Sequence, residues 1–386
     1  MTLAIDAKAK ALKAQGVNVI GLGAGEPDFG TPTLIKEAAV KALERNETHY
    51  TPVGGTDALK DAIIGKFQRD QGLSYERNQI VVSCGAKHSF YNLAQALWEE
   101  GDEVLVPAPY WVSYPEIIRL TGARPVILDA GAEAEFKIRP EQIHEAITPS
   151  TRALVINSPS NPTGSGYTRP ELEALCEVAL NHNLTIISDE IYEKIVYDGF
   201  QPFSPAQLGD EMKNHTVVIN GASKAYAMTG WRIGYLAAPP EVAAAVSKLQ
   251  SQSTSNPTSI AQAATVEALT NPKVEEDVQA MRAEFLKRRD YLMSRYAALK
   301  GIECLKPVGT FYSFPDISGL FGKSHEGKAI DGSLSFCEFL LDTVKVAVVP
   351  GVAFGADHHV RLSFATSLDV LKEAMDRLEQ AVGLLK

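Results

Sequence analysis

The sequence predicts an α/β protein: a large domain with a mostly parallel sheet flanked by helices, and a smaller α+β domain. Short β-rich runs alternate with longer helical patterns through the middle of the chain, the mark of βαβ units. From about Lys287 the pattern changes to a helix followed by strands and turns. The bulk numbers agree, since 386 residues, 45% hydrophobic and 22% charged, describe an ordinary globular chain with room for two domains.

Taken in order, "MTLAIDAKAKALKAQG" sets lysines among alanines at helical spacing and lacks the apolar stretch of a secretory leader, which predicts a cytoplasmic protein. Next come "QIVVS" then "SFYNLAQALWEE", "DEVLVP" then "YPEIIRL", "RALVIN" then "ELEALCEVALNHN", "LTIIS" and "TVVIN", each run a strand and each longer pattern a helix. "RRDYLMSRYAALKGIECLKPVGTFYSFPDI" reads as a helix passing into strands, and the amphipathic "LDVLKEAMDRLEQAVGLL" closes the chain. The expected division is a large domain at 31–286 and a small domain made of 1–30 and 287–386.

Several function classes are excluded. A net charge of -10 opposes binding to nucleic acid, which needs clustered Lys and Arg on phosphates. No apolar run approaches the roughly 20 residues of a membrane span. Cys84, Cys176, Cys304 and Cys337 form no Cys-x-x-Cys pair, and His358-His359 reads as a loop feature, so neither disulfide nor metal site is expected. "GLGAGE" imitates a dinucleotide fingerprint, but Glu26 stands at the third glycine and no matching βαβ unit follows.

Open parallel sheets bind ligands at the carboxyl ends of their strands, so the residues just after each apolar run carry the functional reading. After "QIVVS" come Cys84, Gly85, Ala86 and Lys87, where a glycine at a helix N-terminus can cradle a phosphate. "SPSNPTG" places Asn161 between prolines in a turn, "LTIIS" runs into Asp189-Glu190-Ile191-Tyr192, and "TVVIN" leads to Ser223 and Lys224, with Arg232 soon after. Singly these are a turn former, a helix cap, a core aromatic and a solvated lysine. Lying about one βα unit apart, Asn161, Asp189 and Lys224 converge on one sheet edge. An amide, a carboxylate, a phenol and an amine beside a phosphate cradle suit pyridoxal 5'-phosphate, which needs an amine for its aldehyde and a carboxylate for its pyridine nitrogen.

"SKAYAMTGWRIG", "NSPSNPTG", "SDEIYE", "VRLSFAT" and "GAGEPDFGTP" resemble the aspartate aminotransferase family, fold type I of the pyridoxal phosphate enzymes, over nearly the whole chain. The resemblance implies a seven-stranded sheet in the large domain and a small domain that closes on substrate. It implies that Lys224 forms the Schiff base and shuttles protons, that Asp189 pairs with the pyridinium nitrogen, and that Asn161 and Tyr192 bond the ring hydroxyl. Trp111 would stack on the ring; Gly85, Ala86, Lys87, Ser223 and Arg232 would hold the phosphate, joined by Tyr50 from a second copy in a homodimer. Arg361 would clamp the substrate α-carboxylate, a role suited to a planar two-pronged donor, with Gly25 facing it through its backbone.

The implied activity is ping-pong transamination of L-aspartate and 2-oxoglutarate through pyridoxamine phosphate, a transfer of nitrogenous groups between small molecules. One subgroup carries an arginine for the distal carboxylate where this chain has Ser251, so the resemblance points to the other, in which Lys87 of "CGAKHSF" takes that role. Some of its members also convert prephenate to arogenate, using this lysine and a threonine at the place of Thr2. Family members usually carry a dozen or so residues before this point. The rival readings are an aromatic or kynurenine-type aminotransferase and a carbon–sulfur lyase on the same fold.

Overall fold

The β-rich runs become strands of one seven-stranded sheet. The computed structural model describes residues 2–386, with the side chains of residues 2, 3, 4 and 6 outside the described set. The strands are β1 (Ile80–Ser83), β2 (Glu103–Ala108), β3 (Arg124–Asp129), β4 (Thr151–Asn157), β5 (Thr185–Asp189), β6 (Thr216–Gly221) and β7 (Gly234–Ala237), in the order β1-β7-β6-β5-β4-β2-β3. Only β7 runs antiparallel to its neighbours, β1 and β6. All other pairs are parallel.

The apolar runs are nearly continuous because the sheet is buried on both faces. Val82, Val218, Tyr235 and Ala237 pack into one core, while Val81, Val217, Ile219 and Leu236 pack into another on the opposite face. Alternate residues of β4 divide the same way, Leu154 and Ile156 to one side, Ala153 and Val155 to the other.

The C-terminal part builds a three-stranded antiparallel sheet from β8 (Tyr312–Ser313), β9 (Val349–Pro350) and β10 (Val360–Ser363), with β10 in the middle. The closing helix, Leu368–Leu384, buries Leu371, Ala374, Met375, Leu378 and Ala381, the predicted stripe, and Ser367 caps it by accepting from Val370 N (3.3 Å). The helix expected near Lys287 starts earlier, at Pro272, and runs unbroken to Tyr296 across the 286/287 point. Its apolar stripe does not pause there: Val274 and Val278 join a core under the large sheet, while Met281, Phe285 and Leu292 join the core of the C-terminal part. Of the His358-His359 pair, His358 lies in a turn and His359, bridged to Asp316 outside any strand, is buried with its ring stacked on Phe314 at 4.9 Å and 6°.

Among the described residues no helix is long and apolar enough to cross a membrane, and no cluster of His, Cys, Asp and Glu is arranged to hold a metal.

Candidate active site

A cavity of about 740 Å3 opens at the carboxyl ends of β4, β5 and β6. Sheet register places its groups. Asn157 at the end of β4 lies opposite Asp189 at the end of β5, and Asp189 lies opposite Ile219 of β6. Asn157 Nδ2 donates to Asp189 O (3.0 Å), and Asn161 N donates to Asn157 Oδ1 (2.8 Å), so the Asn161 turn is tied back to the strand it leaves. Three residues beyond β6, Lys224 points into the cavity and its Nζ donates to Gly25 O at 2.5 Å. Burial, with the positive charges of Arg361 and Arg232, lowers its pKa to about 8, against the opposing pull of Glu26 and Asp189.

Asp189 is buried. Its Oδ2 accepts from the Tyr114 hydroxyl (2.5 Å) and its Oδ1 from Ile191 N (3.2 Å). Burial pushes its carboxyl pKa up, while those two donors and Lys224 hold the rise in check. Tyr192 follows on the next turn with its hydroxyl 3.1 Å from that of Tyr312.

The phosphate cradle predicted at Gly85 has the backbone it needs. Gly85 sits at φ +92° immediately before the helix Ala86–Leu97, whose first N–H groups, at Ala86 and Lys87, have no place in the helix ladder. A Cβ on Gly85 would lie 2.4 Å from Arg232 Nη2, and one on Gly234 would lie 2.1 Å from Ala86 N. Only glycine permits these approaches. Arg232, at φ +57°, is held by two carbonyls: Nη1 donates to Thr229 O (2.9 Å) and Nη2 to Cys84 O (3.2 Å). Ser223 lines the same wall.

Arg361, in β10, lies between two rings, 4.3 Å from the Tyr312 centroid and 5.0 Å from that of Phe354. Its Nη1 donates to Asn161 Oδ1 and its Nη2 to Gly23 O, both at 2.9 Å, while its buried Nε has no partner among the described residues. Lys87 Nζ sits 4.9 Å from the Trp111 ring, and burial together with Arg232 lowers its pKa.

The cavity thus gathers Gly25, Ala86, Lys87, Trp111, Asn161 and Asp189, as well as Tyr192, Ser223, Lys224, Arg232 and Arg361. Tyr50 is not among its lining residues and is 91% exposed. The side chain of Thr2 lies outside the described residues. Tyr114, Tyr312 and Phe354 were not anticipated. Tyr114 had a local signal, standing three residues after Trp111, and the two rings meet at 5.2 Å and 84°. Tyr312 and Phe354 come from the C-terminal sheet region and had none.

Comparison with known proteins decides the family. The pattern described as "Aminotransferase class I and II" matches residues 17–378. The chain belongs to that family. The aminotransferase is 52% identical over 382 residues to an aspartate aminotransferase of Geobacillus stearothermophilus, covering 98% of this chain and 95% of the other. It is 49% identical to an aspartate/prephenate aminotransferase of Cereibacter sphaeroides, covering 98% and 94%. The crystal structure of the aspartate aminotransferase from Rhizobium meliloti superposes with a TM-score of 0.97 at 46% identity, covering 100% and 96%.

As a member of this family the protein is a pyridoxal-phosphate-dependent aminotransferase. The residues present fit the cofactor: a glycine-dependent cradle of free N–H groups with an arginine across it suits a phosphate, and a buried carboxylate with no hydrogen-bonded cation among the described residues suits a protonated ring nitrogen.

Proposed function

We propose that this aminotransferase moves the amino group of L-aspartate to 2-oxoglutarate, giving oxaloacetate and L-glutamate in a ping-pong cycle. The observation that carries the reading is that two cations, Arg361 and Lys87, line the same cavity as the Lys224 amine, an arrangement suited to an amino acid with two carboxylates. The names of the relatives support it.

Bound in the cavity, pyridoxal phosphate supplies an aldehyde for the amino group and a ring that withdraws electrons from the carbon beside it. The protein's residues do the rest. Arg361 takes the α-carboxylate with its planar fork, and its unpartnered Nε is available for that contact. Lys87 takes the side-chain carboxylate. Ala86 and Lys87 offer backbone N–H groups to the phosphate with Ser223 and Arg232, whereas the Gly85 N–H, expected to join them, is already given to Ser83 O (2.7 Å). Asp189 holds the ring nitrogen's proton; Asn161 and Tyr192 orient the ring oxygen; Trp111 covers the ring face. Lys224, with its lowered pKa, would take the proton from the substrate α-carbon and deliver it to the carbon that bore the cofactor's aldehyde.

The 91% exposure of Tyr50 fits a residue that serves the phosphate of a second copy, as in a homodimer with shared sites. The cytoplasm is the proposed compartment. The joining of 1–30 to the C-terminal part is supported by a core that holds Ile5 and Leu22 with C-terminal residues, but that core also takes in Met281 and Phe285, so the proposed 286/287 boundary falls inside a helix. Lys10 and Lys13 also line the cavity, and with the relatives named for prephenate they favour that keto acid as a second acceptor.

The test is the absorbance spectrum of the protein with pyridoxal phosphate, before and after aspartate, with Lys224→Ala alongside. The expected result is a cofactor band that aspartate converts with release of oxaloacetate, and turnover reduced more than about 10³-fold in the variant. A band that aspartate leaves unmoved ends the substrate claim, and no band at all ends the reading of Lys224.

A further inference from the structure

We infer that Tyr312 is a positioning residue that acts on both halves of the site, its hydroxyl donating to Tyr192 and its ring supporting Arg361. The inference rests on the cofactor and substrate reading above.

Tyr312 stands on β8, whose pairing with β10 sets Tyr312 opposite Ser363 and Ser313 opposite Leu362, so its ring lies against the strand that bears Arg361. The side chain is 1% exposed. Arg361 lies over its ring at 4.3 Å, and the hydroxyl at the far end of that ring is 3.1 Å from the hydroxyl of Tyr192. A Cβ on Gly25 would come within 3.2 Å of that hydroxyl, so the glycine leaves room for the phenol beside the cavity.

The hydrogens then decide the direction of the contact. Burial raises the pKa of both phenols, so each carries one proton at neutral pH. When Tyr192 donates its O–H in a hydrogen bond to a ligand oxygen in the cavity, its own oxygen is left to accept, and Tyr312 is the phenol within reach to donate. Hydrogen bonds in such a chain polarise one another, so the Tyr312 hydroxyl makes Tyr192 a stronger donor and favours an ionised ligand oxygen. The ring has a separate role, because a guanidinium packed against Tyr312 and Phe354 keeps its fork in the cavity whether or not a carboxylate is there.

The two roles separate by substitution. The pH titration of the cofactor's absorbance band is measured in the loaded wild-type protein and in Tyr312→Phe, Tyr192→Phe and the double variant, with steady-state kinetics on aspartate for Tyr312→Phe and Tyr312→Leu. Tyr312→Phe keeps the ring and loses the hydroxyl. Its titration midpoint is expected to rise by roughly 0.3–0.7 unit with KM within about twofold of wild type. Tyr192→Phe raises the midpoint further, and the double variant matches it, because the Tyr312 hydroxyl acts only through Tyr192. Tyr312→Leu removes the ring and is expected to raise KM roughly 3- to 30-fold.

A Tyr312→Phe midpoint equal to that of wild type, or a shift that adds in full to that of Tyr192→Phe, overturns the hydroxyl role. An unchanged KM in Tyr312→Leu overturns the ring role. A wild-type protein with no cofactor band refutes the proposed function itself, a different failure from variants that all titrate alike.

Discussion

Two regions meet in the cavity, and they reach it by different means. Asn161, Asp189 and Lys224 follow strands of the large sheet, and the parallel register that pairs Asn157 with Asp189 and Asp189 with Ile219 sets their backbones side by side. Arg361 and Tyr312 arrive on strands of four and two residues, where few ladder bonds fix the backbone. Their places depend on packing among Tyr192, Phe311, Tyr312 and Phe354. Asp189 thus sits on the paired backbone of the large sheet and Lys224 three residues beyond the end of β6, while the carboxylate-binding arginine sits where side-chain contacts decide the geometry.

Three experiments press on that contrast. The largest effect is expected from Arg361→Lys, which keeps the charge and loses the fork: kcat/KM for aspartate falls roughly 10²-fold with an unaltered circular dichroism spectrum. A loss below about threefold would break the assignment of this region to the α-carboxylate. Next comes Lys87→Met, on the sheet side, where kcat/KM for aspartate drops roughly 10-fold while activity on phenylalanine holds. Equal losses on both substrates would mean that Lys87 serves the cofactor and not the second carboxylate.

The smallest effect is a pH shift. Because the pKa of Lys224 is lowered to about 8, its amine loses its proton as pH rises through that value, while exposed lysines stay charged until about 10.4. Labelling of the cofactor-free protein by an amine reagent, followed by peptide mass spectrometry, is expected to reach half its maximum at Lys224 near pH 8. Labelling that follows the surface lysines instead would show that the cavity leaves this amine unperturbed.

Most of the large sheet was legible because its signals are local: Val- and Ile-rich runs, each bounded by a polar or glycine turn, need no distant partner to be read as buried strands. The same locality exposed Asn161, Asp189 and Lys224 as strand-end residues, and Gly85 as the start of a helix. The C-terminal part was less legible. Its strands are too short to show alternation, and the helix Pro272–Tyr296 serves two cores with one apolar stripe, which hides the boundary it crosses. Tyr312 carried no sign of its role, since the hydroxyl and guanidinium that define it come from Tyr192 and Arg361, 120 and 49 residues away in the chain.

The two carbonyls that hold Arg232 have a thermodynamic consequence. An exposed arginine that closes on an anion gives up about 1.5–2 kcal/mol of rotamer freedom as it does so. Arg232 has already been ordered by Thr229 O and Cys84 O, and its backbone is fixed at φ +57°. That entropy is lost when the chain folds, so an arriving phosphate meets a guanidinium already in place, and the ordering cost is charged to stability rather than to affinity.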